Sequence, residues 1–118
     1  MLAQKLIGLD IGTTSVKAAV IDTDGVVHAQ FSESYPSIRT GADLVEQDPE
    51  DWIRLLNRAL NSFIGHKVLG IGICSQVNTH VFLGSDDCPL FPAITWQDIR
   101  AKNEAQKLNS QVSDEEKI

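Results

Sequence analysis

Three short apolar runs open the chain, at residues 6–11, 16–22 and 26–31. Runs of this length, bounded by turn residues, predict β-strands. Asp24 and Gly25 separate the second run from the third, and both residue types tolerate positive φ. We therefore expect a hairpin at that point, and a further turn between the first two strands.

The clearest helical pattern begins at Asp48. We expect Asp48 to cap the helix, since Pro49 suits the first helical position and acidic residues follow it. Gly65 is expected to end the helix. Apolar side chains at three- and four-residue spacing predict one buried face, formed by Trp52, Leu56, Ala59, Leu60 and Phe63.

The segments around this helix give weaker signals. Residues 32–47 have mixed polarity and indicate an extended or looping connection. Residues 68–74 predict a core strand that contains Cys74, and residues 81–83 predict a neighbouring strand. Residues 85–89 predict a turn.

Two more helices are predicted towards the end of the chain. One begins near Asp98 and places three apolar side chains on one face: Ala101, Ala105 and Leu108. Residues 113–116 have the Ser-x-x-Glu form of a capping box, which opens a helix. Since Ile118 follows almost at once, two interpretations stay open: a frayed acidic tail, or the front part of a longer polypeptide.

Composition narrows the classes of function. Ten Lys and Arg against sixteen Asp and Glu give the 118 residues a net charge of −6, which argues against binding the phosphate backbone of nucleic acids. No apolar run approaches the roughly 18 residues of a membrane span. One domain is expected. The two cysteines lack metal-site spacing, which indicates a reducing cytoplasm.

Residues 8–17 (GLDIGTTSVK) form the first candidate site. They lack the Gly-Lys-Ser/Thr ending of a Walker A loop, and a strand follows them instead of a helix. A glycine, clustered N–H groups and three hydroxyls nevertheless suit a polyphosphate. Asp10 suits Mg²⁺ bound through water, and Lys17 adds a positive charge. A Thr-rich structural hairpin fits the same spacing.

Two later segments suit a polyol. Residues 75–80 (SQVNTH) follow a predicted strand with amides and hydroxyls, although a simple Asn/Thr turn fits equally. In residues 92–100 (PAITWQDIR), Trp96 can stack on a sugar while Asp98 accepts its hydroxyl protons. Alternatively, Trp96 belongs to the core, Asp98 caps a helix and Arg100 is a surface charge.

Four segments, taken in this order, resemble the N-terminal domain of the FGGY family of carbohydrate kinases: residues 8–17, 46–52 (EQDPEDW), 70–76 (GIGICSQ) and 92–100. The resemblance covers residues 5 to about 110. It implies an α/β fold of the ribonuclease H-like class, in the actin, hexokinase and chaperone superfamily, with a mixed sheet and flanking helices. Residues 1–118 would be an incomplete N-terminal domain.

The resemblance also implies ligands and their residues. ATP and Mg²⁺ are the expected cofactors, with Asp10 near the metal and six residues near the phosphates: Asp10, Gly12, Thr13, Thr14, Ser15 and Lys17. The residues expected to bind a sugar or polyol are Gln76, Val77, Asn78, Trp96 and Asp98. Val77-Asn78 matches neither the Met-His of xylulokinase-like members nor the Arg-Glu of glycerol kinase, and a ketopentose or related polyol is favoured.

By resemblance, the function is ATP-dependent phosphorylation of a sugar or polyol hydroxyl in the cytoplasm. The catalytic base is expected beyond residue 118, so the chain alone should be inactive. Two alternatives stay open: a sugar- or nucleotide-binding module without catalysis, and an actin- or chaperone-like ATPase. Strands left uncovered in a partial domain also favour self-association into a homo-oligomer.

Overall fold

The computed structural model describes residues 3–113 and residue 116. This part of the chain folds into two β-sheets and two helices. The strands are β1 (Lys5–Ile11), β2 (Ser15–Asp22), β3 (Val27–Ser34), β4 (Ile38–Thr40), β5 (Leu44–Gln47), β6 (Ile71–Ser75) and β7 (Ala93–Ile94). The helices are α1 (Pro49–Ser62) and α2 (Lys102–Gln111).

The larger sheet has the strand order β3-β2-β1-β6. The first three strands are antiparallel neighbours, while β6 pairs with β1 in parallel, so the predicted mixed sheet is confirmed. The predicted hairpin is also present. Of its two central residues only Gly25 has positive φ, 85°. The Asp22 carboxylate accepts from the N–H groups of Asp24 and Val26, and this wider turn suits a glycine in the left-handed region.

Helix α1 covers one face of this sheet. The Asp48 carboxylate accepts from the Glu50 N–H at 2.9 Å, so the predicted cap is confirmed. The helix ends at Ser62, three residues before Gly65. Its buried residues include Leu55, which the predicted face omitted. Side chains from β1, β2, α1 and the residue that follows α1 form the main core cluster: Ile7, Leu9, Ala18, Val20, Ala59 and Phe63.

The connection predicted over residues 32–47 is more ordered than expected. It contains the end of β3 and the strands β4 and β5, which join β7 in a second sheet of order β4-β5-β7. This sheet involves pairing between residues that are distant in sequence, since β5 pairs with residues 93–94. The local polarity of residues 32–47 does not reveal that pairing, so the prediction of an extended or looping connection did not include the second sheet.

Two predicted strands differ from the structure. The strand expected over residues 68–74 begins at Ile71 and is exposed throughout, so Cys74 is not in the core. The reason is its position at the sheet edge, because α1 packs over β2 and β3 instead. Residues 81–83 form no strand; Leu83 makes only an isolated bridge with Pro89. The turn predicted over residues 85–89 is confirmed.

The second predicted helix starts later than expected and has no buried face. Asp98 does not cap it, since α2 begins at Lys102, after Ala101. No residue of α2 is buried, so the predicted apolar face is not part of the core. The Glu116 carboxylate accepts from the Ser113 N–H, which is one of the two bonds of a capping box, while the Ser113 hydroxyl donates to the same carboxylate. The helix that the box would open lies outside the described residues. Neither described helix is long and apolar enough to span a membrane.

Candidate phosphate and sugar site

The turn between β1 and β2 has its carbonyl groups tied into the protein. The Tyr35 hydroxyl donates to the Gly12 carbonyl. The Thr13 carbonyl accepts from the Gln47 amide at 2.7 Å, and the Thr14 carbonyl accepts from the Tyr35 N–H at 3.2 Å. The backbone N–H groups of Thr13 and Thr14 have no acceptor within the described part of the chain. Unpaired N–H groups on adjacent residues form an anion-binding concavity.

Gly12 closes this turn, and a side chain there would crowd the neighbouring backbone. Its N–H donates to the Ser15 carbonyl at 3.0 Å. A Cβ at this position would lie 3.2 Å from that carbonyl oxygen and 3.8 Å from Oδ2 of Asp10. The Asp10 carboxylate therefore lies directly beside the turn.

Asp10 and Lys17 are cross-strand partners on β1 and β2, and Cys74 pairs with Asp10 from β6. They line an open concavity of about 830 Å³ on the sheet. Leu9, the neighbour of Asp10, is buried in the core cluster with α1, so alternation along the strand places Asp10 on the opposite face. The carboxylate, the ammonium group and the free N–H groups form a donor set that fits Mg²⁺ and a polyphosphate.

The loop after β6 is held against the end of β1. The Gln76 N–H donates to the Ile11 carbonyl at 2.8 Å. Val77 and Asn78 are exposed, and Asn78 has a φ of 54°, a left-handed conformation that asparagine tolerates. Thr79 donates its hydroxyl proton to Oε1 of Gln76 at 3.0 Å. The loop therefore presents residues 77 and 78 to solvent beside the turn of residues 12–14, which the sequence predicts to bind phosphate and which is called the phosphate turn below.

Trp96 connects this loop to the phosphate turn. Its indole Nε1 donates to the Thr13 hydroxyl at 3.0 Å, and its backbone N–H donates to the Thr79 hydroxyl at 3.2 Å. The side chain is 52% exposed, so it is not a core residue. Three segments that are far apart in sequence thus meet around Thr13 and Trp96, where an aromatic face stays open to a ligand.

Asp98 is placed differently from the other predicted sugar ligands. Its side chain is 2% exposed. One oxygen accepts from the Val45 N–H at 2.7 Å, and both oxygens bind the Arg100 guanidinium at 2.6 and 2.8 Å. The Arg100 guanidinium holds the pKa of Asp98 far below its usual range. Arg100 also pairs with Glu46 at 2.7 Å, so Asp98 anchors β5 to the segment after β7.

Sequence reasoning missed two residues of this region. Gln47, at the end of β5, is completely buried and bonds to the phosphate turn. Tyr35 follows β3 and holds the Gly12 carbonyl, and burial raises the pKa of its phenol. The only local signal was that Gln47 lies within the 46–52 segment. No group of three or more potential metal ligands occurs among residues 3–113 and 116.

Comparison with known families decides the class of protein. The N-terminal domain of the FGGY family of carbohydrate kinases matches residues 5–118. The chain belongs to the FGGY family. This assignment favours a kinase-type domain over an actin- or chaperone-like ATPase, and it confirms the resemblance inferred from the four sequence segments.

Individual FGGY kinases show the same relationship. The chain is 35% identical to the xylulose kinase of Klebsiella pneumoniae over 111 residues, which is 91% of this chain and 23% of that protein. The gluconate kinase of Lactobacillus acidophilus superposes with a TM-score of 0.84 at 33% identity, covering 93% of this chain and 23% of that one. The xylulose kinase of Rhodospirillum rubrum gives a TM-score of 0.89 at 26% identity. The chain therefore has the fold of part of an FGGY N-terminal domain and spans under a quarter of these relatives' length.

Proposed function

We propose that these 118 residues supply the phosphate-binding turn and part of the sugar pocket of an ATP-dependent carbohydrate kinase. One observation carries the proposal: the carbonyls of residues 12–14 are bonded inwards while the N–H groups of Thr13 and Thr14 are unpaired. Family membership gives this donor arrangement its interpretation as a site for nucleotide phosphates.

The phosphate end of the site would use side chains as well as backbone. Asp10 would hold Mg²⁺ through coordinated water, and Lys17 would face the phosphate charge across the same sheet face. The hydroxyls of Thr13, Thr14 and Ser15 would complete the cradle. Bound ATP·Mg²⁺ supplies the phosphoryl group, and the turn's contribution is to position and neutralise it.

The sugar end would be built around Trp96. Its exposed ring would stack on the apolar face of a sugar or polyol, while Gln76, Val77 and Asn78 orient the hydroxyls. Asp98 could accept a hydrogen bond from the sugar only through carboxylate oxygens that already bind Arg100. The relatives named xylulose kinase and gluconokinase favour a sugar substrate, and a ketopentose remains our preferred class.

The remaining parts of the reaction would come from a longer polypeptide. We place the catalytic base and the adenosine contacts beyond residue 118, in an enzyme of the cytoplasm, so the chain alone should not turn over. Residues 1–118 are then an incomplete N-terminal domain.

The test is a coupled ADP-release assay on a chimera in which residues 5–118 replace the matching segment of the Klebsiella pneumoniae xylulose kinase. We expect sugar-dependent ADP release with D-xylulose, and at least a roughly hundredfold loss in the Asp10→Asn chimera, since phosphoryl transfer depends on charge neutralisation. Asp24→Asn, in the exposed β2–β3 turn, is the matched control.

Two results would contradict the proposal. The first is a folded chimera, verified by circular dichroism and gel filtration, that shows no sugar-dependent ADP release with D-xylulose, D-gluconate or glycerol. The second is an unchanged rate after Asp10→Asn. Robust turnover by the 118-residue chain alone would overturn the placement of the base.

A further inference from the structure

Gln47 is a buried amide whose two N–H donors and whose oxygen all have hydrogen-bond partners. Its exposed fraction is 0%. Nε2 donates to the Thr13 carbonyl at 2.7 Å and to the Ser37 hydroxyl at 2.8 Å, while Oε1 accepts from Nε2 of Gln76 at 2.8 Å. A buried polar side chain that is fully satisfied in this way fixes its neighbours, because losing one partner leaves another unpaired.

These contacts belong to a closed ring of hydrogen bonds. From Gln76 the ring passes to the Thr79 hydroxyl at 3.0 Å and then to the Trp96 N–H at 3.2 Å. The Trp96 indole returns to the Thr13 hydroxyl at 3.0 Å. The ring therefore begins and ends at Thr13, and it includes at least one residue from each proposed binding segment.

The ring has a fixed direction. The Thr13 carbonyl can only accept, so Gln47 must turn its NH₂ towards it and its oxygen towards Gln76. Gln76 must then donate with its own NH₂, which leaves its oxygen to accept the Thr79 proton. Reversing Gln47 would set its amide oxygen against the Thr13 carbonyl oxygen, and reversing Gln76 would set its amide oxygen against Oε1 of Gln47. Gln47 thus determines which atoms Gln76 presents to the loop after β6.

We propose that Gln47 is a positioning residue that couples the sugar loop to the phosphate turn. The assignment of ligands to these two segments rests on the proposed function, whereas the ring rests on the geometry alone. Gln47 acts through Thr13 and Gln76. A ligand that moves Trp96 or Gln76 therefore also changes the hydrogen bonds of Thr13, where the phosphate would bind.

The first experiment measures the ring on the 118-residue chain without any ligand. The Trp96 indole N–H is followed by ¹⁵N–¹H NMR, with its resonance assigned by Trp96→Phe. Gln47→Met should shift this resonance and speed its hydrogen exchange by about fivefold, although Gln47 does not bond to Trp96. Gln106→Met, on the exposed helix α2, should change nothing.

A control is needed to show that a general loss of stability does not by itself shift the Trp96 indole resonance. Val20→Ala trims a fully buried side chain in the main core cluster, which contains neither Tyr35 nor any residue of the ring, and lowers stability. It should leave the indole resonance in place. Should Gln47→Met fail to fold, Gln47→Glu keeps the shape: its protonated carboxyl donates to Thr13 and accepts from Gln76, so the indole signal should return towards wild type as pH falls. An indole signal unmoved in both variants would overturn the inference.

The second experiment asks whether the ring serves the kinase. In the chimera described above, Gln47→Met should lower kcat for D-xylulose by about tenfold and leave KM for the sugar within about twofold, because the residue touches neither ligand. A rise in KM with unchanged kcat would contradict a positioning role. The indole signal could shift in the 118-residue chain while the wild-type chimera shows no sugar-dependent ADP release. That outcome would reject the proposed function but support the inferred hydrogen-bond ring.

Discussion

Asp98 illustrates how a residue's neighbours decide its chemistry. The sequence left it open between sugar ligand and helix cap, and the structure gives both its oxygens partners in Val45 and Arg100. Since the pKa of Asp98 is lowered in the folded state, folding favours the ionised form. Its stabilising contribution is therefore fully present well above the unfolded pKa of about 3.9 and is lost progressively as pH falls from that value towards the lower folded pKa.

Replacing Asp98 should accordingly destabilise the chain in a pH-dependent way. Asp98→Asn removes the charge that binds Arg100, and we expect a loss of roughly 2–3 kcal/mol in the free energy of unfolding at pH 7. Urea denaturation at pH 7 and at pH 2.5 measures this, with Asp24→Asn as the exposed control. The difference in the free energy of unfolding between wild type and Asp98→Asn should be smaller at pH 2.5 than at pH 7. A difference that is larger at pH 2.5 would reject the assigned role of the ion pair.

The site was only partly predictable at the level of residues. The segments containing Thr13, Gln76 and Trp96 were identified because their local composition suits phosphate or polyol binding. Gln47 was not identified, because its role consists of contacts to residues 10 to 34 positions away. Burial and partner identity are properties of the fold, and a single sequence does not encode them locally.

At the level of elements, the cap of α1 offers a direct test. Asp48 accepts from the Glu50 N–H and satisfies a donor that has no partner within the helix. Asp48→Ala should lower the free energy of unfolding by about 1 kcal/mol, while Asp48→Asn should cost far less because it retains the cap. Urea midpoints of the two variants measure the difference. Equal losses in both would show that the cap contributes nothing.

The difference between local signals and contacts distant in sequence also explains which elements were predicted correctly. Helix α1 and the β2–β3 hairpin depend on caps, turns and spacing within a few residues, and both were predicted. Strand β6 was expected in the core because its residues are apolar, but burial depends on what packs against it. The predicted helix near Asp98 differs for the same reason: α2 forms from Lys102, yet none of its residues is buried.

At the scale of the whole molecule, the chain exposes more surface than its size requires. Its accessible surface is 8379 Å², whereas a compact monomer of this mass would expose roughly 6,300 Å². The radius of gyration is 18.8 Å, against roughly 13–14 Å for a compact domain of this length. The excess includes the outer edge of β6, where Ile71 is 51% exposed and Ile73 is 66% exposed.

An unpaired apolar strand edge should bring two copies of the chain together. The outer edge of β6 has no strand partner in the described structure, and its backbone groups can pair with β6 of another copy. Sedimentation velocity should therefore show a species larger than a monomer that grows with concentration. Ile73→Lys places a charge on the edge and should shift the distribution towards monomer, whereas Ile64→Lys, beyond the end of α1, should not. A monomer at all concentrations, or equal effects of the two substitutions, would show that β6 is not the contact.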